Sequence, residues 1–279
     1  MSEEIEKIKA SPYYLASEEK ALSQPLYEEV FWEDSSRFVD FYYAYKVRDN
    51  EILVLKDEDT IISMLHLNPY KMIMNGYEVC SKYIVAVATR KAYRHKGCME
   101  AMLKKVLNDT ASLKIPFVFL MPANEKIYAP YDFVWICPHT KLSRRIEAMD
   151  GEAQNQYLAA RYQMFCKRDE RYMENLKAER QAEAGETSSE QVPPYMARVT
   201  DVCSMLTLSH SQREQTFYLH VKDPVIKKND GYYFWHVSPE GSRAKKLADA
   251  PEKVDLEFSI GELTSMLFES LRICLSEFV

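Results

Sequence analysis

A basic loop in the first half of the chain has the residue types that bind phosphate. Arg94, His95, Lys96 and Gly97 follow an apolar run at 84–88, which predicts a buried strand, and they precede apolar residues spaced as on one helix face. The N-terminus of a helix presents free N–H groups to an anion, and a glycine lets the main chain approach it closely. The stretch therefore predicts a phosphate site, and a solvated strand-to-helix loop is the alternative that the residues leave open.

The cysteines do not indicate a metal site. The six cysteines are scattered, without Cys-x-x-Cys or a histidine at zinc-binding spacing. No metal is therefore expected, and free thiols are. Cys98 lies at the predicted helix N-terminus, a position that lowers a thiol pKa; a small residue in a tight loop is the alternative.

Composition excludes several classes of protein. The net charge is −6 and the pI about 5.7, which does not favour a nucleic-acid or anionic-membrane surface. The N-terminus is charged and lacks the apolar segment of a signal peptide, and no run approaches the length of a membrane span. A cytoplasmic protein that binds neither nucleic acid nor membrane is expected. The 279 residues allow two separate cores.

Aromatic residues crowd the region from 26 to 46. Their helical spacing predicts core packing; the alternative is the wall of a substrate cleft, with Glu33 and Asp34 as acids near its mouth. Strands are predicted at 51–56 and 60–67, with a hairpin around Asn75-Gly76. A further buried strand is predicted at 115–121.

The second half divides at a stretch rich in Gly, Ser, Thr and Pro between Gln181 and Pro194. Before it, residues 146–184 are charged and predict packed helix, including one from Tyr157 to Lys177. Beyond it the pattern predicts a helix at 196–208, strands at 215–221, 231–237 and 254–259, a hairpin turn at 229–231 and a helix at 260–268. The predicted division is 1–145, a connector at 146–190, and 191–279.

Two motifs in order resemble a known family. The segment from Arg94 to Met99 is similar to the Arg-x-x-Gly-x-Gly/Ala loop of GNAT N-acetyltransferases, with Met99 in place of the last small residue. The segments 120–123 and 127–128 resemble the Eis-like members, and Tyr128 to Phe133 resembles their Tyr-x-x-x-Gly-Phe ending, with Asp132 for glycine. Asp tolerates the left-handed backbone that this position requires.

The C-terminal part, from Met196 to Thr264, resembles the sterol-carrier-protein-type domain that ends Eis-like proteins. The central domain of those proteins is mostly missing, because too few residues separate Phe133 from the terminal domain. The resemblance implies an α+β fold: a GNAT domain with a mostly antiparallel sheet flanked by helices, a helical connector and a sterol-carrier-like domain.

The resemblance also implies acetyl-CoA as co-substrate. Val85 and Val87 would bond the pantetheine and polarise the thioester oxygen. The residues implied around the pyrophosphate and the rest of the cofactor are Arg94, His95, Lys96, Gly97, Cys98 and Asn124.

Tyr128 is the candidate general acid, because a phenol with a pKa of about 10 keeps its proton at neutral pH and can donate it to a departing thiolate. A buried structural phenol is the alternative. The general base is less visible. The resemblance suggests the C-terminal carboxylate of Val279, and His66 and His139 are rival bases. The last residues are apolar enough to pack against the fold, and Glu277 is then expected to bind a substrate ammonium.

The expected activity is acetyl transfer to a primary amine of a cationic small molecule or a lysine side chain, and a homo-oligomer is compatible with the sequence. Two alternatives stay open. One is a cofactor- or ligand-binding protein of the same fold without turnover, and the other is a carrier of apolar ligands in the terminal domain.

Overall fold

The computed structural model describes residues 10–183 and 192–278. The strands are β1 (Tyr13–Tyr14), β2 (Glu51–Asp57), β3 (Thr60–Met74), β4 (Tyr77–Thr89), β5 (Phe117–Leu120), β6 (Val134–Cys137), β7 (Met164–Cys166), β8 (Tyr195–Val199), β9 (Gln215–Lys222), β10 (Gly231–Ser238), β11 (Gly241–Lys246), β12 (Leu256–Ser259) and β13 (Ile273–Cys274).

The α-helices are α1 (Gln24–Val30), α2 (Ser36–Phe41), α3 (Val47–Asp49), α4 (Cys98–Ser112), α5 (Arg144–Glu147), α6 (Gly151–Ala159), α7 (Glu170–Ala182), α8 (Val202–Leu206) and α9 (Ile260–Glu269). A π-helical turn, Tyr42–Lys46, joins α2 to α3. Short 3₁₀ turns lie at Ser17–Ser23, Lys91–Tyr93, Glu125–Ile127 and Ala129–Tyr131. Among the described residues, no helix is long and apolar enough to cross a membrane.

Two sheets organise the chain. The large sheet has the order β1-β2-β3-β4-β5-β8-β6, and β7 joins it by pairing with β3 and with β13. The small sheet has the order β11-β10-β9-β12. Most pairs are antiparallel; β4 with β5, β13 with β7 and β12 with β9 are parallel. The expected mixed fold with a mostly antiparallel sheet is confirmed.

Helices cover both faces of the large sheet. Successive strand residues point to opposite faces, so on β3 Leu65 packs in the cluster that contains α4, and Met64 packs in the cluster that contains α1 and α2. The predicted core packing of the early aromatics is confirmed for Tyr27 and Tyr42, which are buried. Trp32, on the connection from α1 to α2, is 74% exposed.

Local turn chemistry gave correct predictions. Asn75 and Gly76 form the two-residue turn between β3 and β4, with φ values of 50° and 86°, as in a tight hairpin. Asp132 has a φ of 60° and so adopts the left-handed conformation expected for it.

The predicted helix at 196–208 is wrong in its first half. Those residues form strand β8 followed by the short helix α8, and β8 lies between β5 and β6 of the large sheet. Every residue of β8 is buried, and a strand buried on both faces has no alternation to distinguish it from a buried helix. The predicted domain division stays a prediction, although β8 belongs to the same sheet as β5.

Two further predictions of local structure are wrong. The helix expected from Tyr157 to Lys177 is interrupted by β7, whose residues are buried against β3. The hairpin turn expected at 229–231 is instead the end of a longer loop, because Asn229 is buried and bonds Thr200 and Asp223 with its amide. The mainly polar β11 was not predicted, since its sequence lacks a strand pattern.

Candidate active site

A β-bulge interrupts β4 where the sequence predicted cofactor contacts. Met64 of β3 is opposite Ala88, and His66 is opposite Val85. One residue of β3 therefore faces two of β4, Ala86 and Val87. Ala86 has a φ of 49°, a left-handed conformation that a non-glycine residue keeps only where its surroundings enforce it. The bulge turns the main chain of 85–87 out of the ladder.

Beside the bulge, β4 and β5 separate. They pair in parallel from Lys82 opposite Val118 to Ile84 opposite Leu120. At that point β5 ends, while β4 continues to Thr89. Along 85–89 the β5 side of β4 therefore has no paired strand among the described residues, and the bulged main chain lies at the edge of this gap in the pairing.

The predicted phosphate loop lies beyond the end of β4. Gly97 is the N-cap of α4 with a φ of 83°, a conformation that favours glycine. The first N–H groups of α4, beginning at Cys98, have no intrahelical acceptor and are available to an anion. The Arg94 guanidinium donates to Thr89 O at 3.1 Å, and Lys96 Nζ lies 5.4 Å from the ring centroid of Tyr93.

Cys98 has a structural environment. Its thiol is buried, and Sγ donates to Tyr93 O at 3.5 Å. Burial raises its pKa, although a backbone hydrogen bond and Lys96 act in the opposite direction. The structure thus favours the small packed residue over the reactive thiol. A contact between Cys98 and a cofactor stays a prediction.

Tyr128 lies between two 3₁₀ turns, Glu125–Ile127 and Ala129–Tyr131. Its side chain is 6% exposed, and its ring centroid is 5.8 Å from that of Phe133. Burial raises the pKa of Tyr128 to about 12, so the phenol is protonated at neutral pH. Asn124 begins this segment, and its Oδ1 accepts the Lys126 N–H at 3.0 Å.

The C-terminal tail, residues 270–278, packs against the large sheet. Strand β13 pairs with β7, the Tyr195 hydroxyl donates to Glu277 O, and the Tyr83 hydroxyl of β4 donates to Phe278 O at 3.1 Å. Val279, the predicted base, lies outside the described residues. The Phe278 carbonyl, one residue earlier, accepts the hydrogen bond from Tyr83, which lies two residues before Val85 on β4.

The hydroxyl that bonds the tail at Phe278 has a perturbed pKa. Tyr83 is buried, and burial raises its pKa; the charges of Glu277 and Glu179 and the phenol of Tyr128 raise it further.

Glu277 is already paired. Its carboxylate accepts from Arg168 at 2.6 Å and from the Tyr172 hydroxyl at 2.7 Å, and both members of the ion pair have side chains 1% exposed. Burial alone would raise the pKa of Glu277, but Arg168 and the hydrogen bonds from Tyr172 and the Ser276 N–H lower it. Its predicted ammonium contact stays a prediction.

The acids predicted at a cleft mouth lie on the connection from α1 to α2. Glu33 is exposed, and Asp34 accepts from the Tyr27 hydroxyl at 2.7 Å. The structure does not bring either of them to the cavity described below.

The two rival bases differ in environment. His66 is fully buried with Nδ1 3.0 Å from the Tyr42 hydroxyl, and burial lowers its pKa to about 3, which leaves it neutral and weakly basic. The His139 ring stacks on Tyr195 at 6.2 Å.

A cavity of about 620 Å³ that the sequence did not reveal lies on the sheet face opposite α4. Lys46 of the π-helical turn, Tyr70 of β3, Tyr172 and Glu179 of α7, and Glu277 of the tail line it. The π-helical turn has no sequence signature, and the charged sequence around Glu179 is typical of a solvent-exposed helix. Within the residues that the structure describes, no group of three or more side chains could hold a metal ion.

The strand order, the bulged β4, the gap beside β5 and the helix N-terminus at Gly97 are those of the GNAT acyltransferase fold. Residues 15–136 match the family model for the GNAT acetyltransferase domain, and residues 199–273 match that for the sterol carrier protein domain. The chain thus has a GNAT acetyltransferase domain followed by a sterol carrier protein domain, as the sequence resemblance implied.

Solved structures with the same fold cover most of the chain. Eis1 from Mycobacterium abscessus has a TM-score of 0.65 at 10% identity, covering 93% of this chain and 89% of that one. A GCN5-related N-acetyltransferase from Anabaena variabilis has a TM-score of 0.64 at 14% identity, covering 92% and 89%. Another from Kribbella flavida has 0.65 at 11%, covering 90% and 88%. No curated protein matches the sequence significantly.

Proposed function

We propose that the chain transfers an acetyl group from acetyl-CoA to an amine. The observation that carries the proposal is the bulge in β4 beside the gap to β5, with the N-terminus of α4 at the end of that gap. The pantetheine lies along 85–89, and its pyrophosphate lies at the loop from Arg94 to Gly97. The N–H groups of Val85 and Val87 polarise the thioester oxygen, as in an oxyanion hole.

The reaction needs one base and one acid. The amine nitrogen attacks the thioester carbon, a nitrogen–carbon bond forms, and the carbon–sulfur bond breaks. A base removes the proton that the amine loses, and Tyr128 protonates the departing thiolate. The fastened tail supports the carboxylate of Val279 as that base. The low pKa of His66, about 3, argues against the imidazole.

Calorimetric titration with acetyl-CoA, followed by a thiol-release assay over a panel of amines, tests the proposal. Cationic small molecules and lysine peptides belong in that panel, since they are the acceptors that the sequence favours. Binding together with amine-dependent release of CoA is expected. No binding of acetyl-CoA would overturn the proposal. Binding without release for any amine would favour a protein that retains the fold but not turnover.

A further inference from the structure

The cavity on the face opposite α4 contains a buried ion pair that is incompletely hydrogen-bonded. Lys46 Nζ lies 4.0 Å from Glu179 Oε2, with side chains 5% and 12% exposed. That separation is within ion-pair range but longer than a hydrogen bond. The ammonium donates to the Tyr70 hydroxyl at 3.2 Å, and a lysine has three donors. Lys46 and Glu179 can therefore each form further hydrogen bonds to a ligand.

Burial also leaves Glu179 poorly compensated. It raises the pKa of this carboxyl to about 7, although Lys46 acts to lower it, and the nearby Glu183 and Glu277 raise it further. A buried charge is stable only when it is paired and hydrogen-bonded. A ligand ammonium beside Glu179 would supply a positive charge within hydrogen-bond distance, which Lys46 does not.

A backbone irregularity brings Lys46 into the cavity. The turn Tyr42–Lys46 is π-helical, and such turns are rare and occur frequently at functional sites. Glu277, in contrast, is neutralised by Arg168. The interior of the cavity is thus balanced in charge rather than acidic.

Ion pairs surround the mouth of the cavity. Its exposed basic side chains are Arg48, Lys71, Lys167 and Arg171, with exposed fractions from 35% to 55%. Each of them pairs with a carboxylate, of Glu174, Asp169, Glu78 or Asp49, so the mouth adds little net charge. The buried ammonium of Lys46 is therefore the group that favours a ligand with an anionic end. The rings of Tyr70 and Tyr172 lie 6.1 Å apart and offer an apolar wall.

The cavity lies close to the proposed thioester position. Asn68 lines it and is opposite Tyr83, and His66, two residues earlier on the same face of β3, is opposite Val85. Two residues along an antiparallel strand span about 7 Å. A small ligand in the cavity can therefore extend toward the bulge of β4.

We propose that this cavity binds a small amine that also carries a carboxylate, the chemistry of a free amino acid, with the carboxylate at Lys46 and the ammonium at Glu179. The inference rests on the proposed function, since it makes this compound the acyl acceptor. It replaces the cationic acceptor expected from the sequence with a zwitterion.

Calorimetric titration with four probes tests the assignment. L-phenylalanine has both charges and an aromatic group; phenethylamine lacks the carboxylate, 3-phenylpropanoate lacks the amine, and spermidine represents the polycations. L-phenylalanine is expected to bind at least tenfold more tightly than each of the others. Tighter binding of spermidine, or no binding of L-phenylalanine to protein that binds acetyl-CoA, would overturn the inference and leave the proposed function intact.

Two variants locate the binding. Glu179→Gln and Lys46→Met are each expected to weaken L-phenylalanine binding at least tenfold, while Glu257→Gln, in an exposed ion pair of the small sheet, leaves it unchanged. Circular dichroism and retained acetyl-CoA binding establish that each variant is folded. Unchanged affinity in Glu179→Gln, which keeps the shape of the side chain, would contradict the site.

The thiol-release assay distinguishes a failure of the cavity as acceptor site from a failure of the proposed acetyl transfer. CoA release with L-phenylalanine supports both the cavity and the reaction. Release with other amines, but none with L-phenylalanine that binds, would overturn the cavity as acceptor site while the proposed reaction stands.

Discussion

At the scale of single residues, burial decides what each candidate group can do. Burial raises the pKa of Tyr128 to about 12, further above neutral pH than that of an ordinary phenol, and it lowers the pKa of His66 to about 3, which keeps the imidazole neutral. Neither environment was visible in the sequence, which showed only a phenol in a suggestive motif and a lone histidine. The residue types were predictable, whereas the shifts in their pKa values required the packed structure.

The proposed acid can be tested by removing one atom. Tyr128→Phe keeps the ring that packs on Phe133 and deletes the hydroxyl, so turnover should fall by about 10²-fold while acetyl-CoA binding stays unchanged. Tyr131→Phe, in the next 3₁₀ turn, is the matched control and should retain activity. Steady-state kinetics and calorimetry measure the two effects, and wild-type turnover in Tyr128→Phe would exclude the phenol as acid.

Burial of His66 also makes stability depend on pH. Its pKa is lowered from 6.5 to about 3 in the folded chain, so the unfolded chain binds the proton more readily. The resulting stability is fully present above the unfolded pKa and is lost as the pH falls toward 3. From pH 7 to pH 5 this histidine alone should lower the free energy of unfolding by about 2 kcal/mol.

Urea unfolding at those two pH values measures this contribution. His66→Gln should lose about 2 kcal/mol less stability than wild type between them. His210→Gln, at an exposed position, should behave as wild type. An equal loss in His66→Gln would mean that His66 does not carry the pH dependence.

At the scale of elements, sequence prediction succeeded where the signal is local. The hairpin at Asn75-Gly76, the buried segment 84–88, and the glycine before α4 all follow from turn chemistry or apolar spacing within a few residues. It failed where burial depends on distant partners. Strands β7 and β8 are strands because β3 and β5 pair with them, and the bulge in β4 lies in the uniformly apolar run 84–88.

The loop before α4 should govern cofactor affinity. Arg94→Glu places a negative charge beside the proposed pyrophosphate, so acetyl-CoA affinity should fall more than tenfold, about 1.4 kcal/mol or more. The control is Arg243→Glu, the same charge change on β11 of the small sheet. Calorimetric titration compares the two, and equal affinities would place the pyrophosphate elsewhere.

At the scale of the whole molecule, one sheet joins the proposed active site to distant parts of the sequence. Strand β8 lies beside β5, and buried Arg198 on β8 donates to Tyr131 O at 2.6 Å and pairs with Asp223 at 2.7 Å. The turn that carries Tyr128 is thus tied to the C-terminal part. The tail returns along β7, and its Phe278 carbonyl accepts from the Tyr83 hydroxyl of β4. Such contacts between remote segments have no local sequence signature.

The fastened tail predicts that activity depends on where the chain ends. Deleting Phe278 and Val279 removes the proposed terminal carboxylate from its place but retains Glu277. We expect strongly reduced turnover, unchanged acetyl-CoA affinity and a loss of about 1 kcal/mol in stability, for the hydrogen bond from Tyr83. A Gly-Ser extension after Val279 should likewise reduce turnover, whereas the same extension before Met1 should not.

Deleting Glu277 as well separates catalysis from folding. That deletion leaves Arg168 buried without its carboxylate, and breaking a buried ion pair in this way costs about 3–5 kcal/mol. The three-residue deletion should therefore unfold at much lower urea concentration than the two-residue deletion, although both lack the carboxylate of Val279. Full turnover in the folded two-residue deletion would show that the base lies elsewhere, because Phe278 and Val279 would then be dispensable for chemistry.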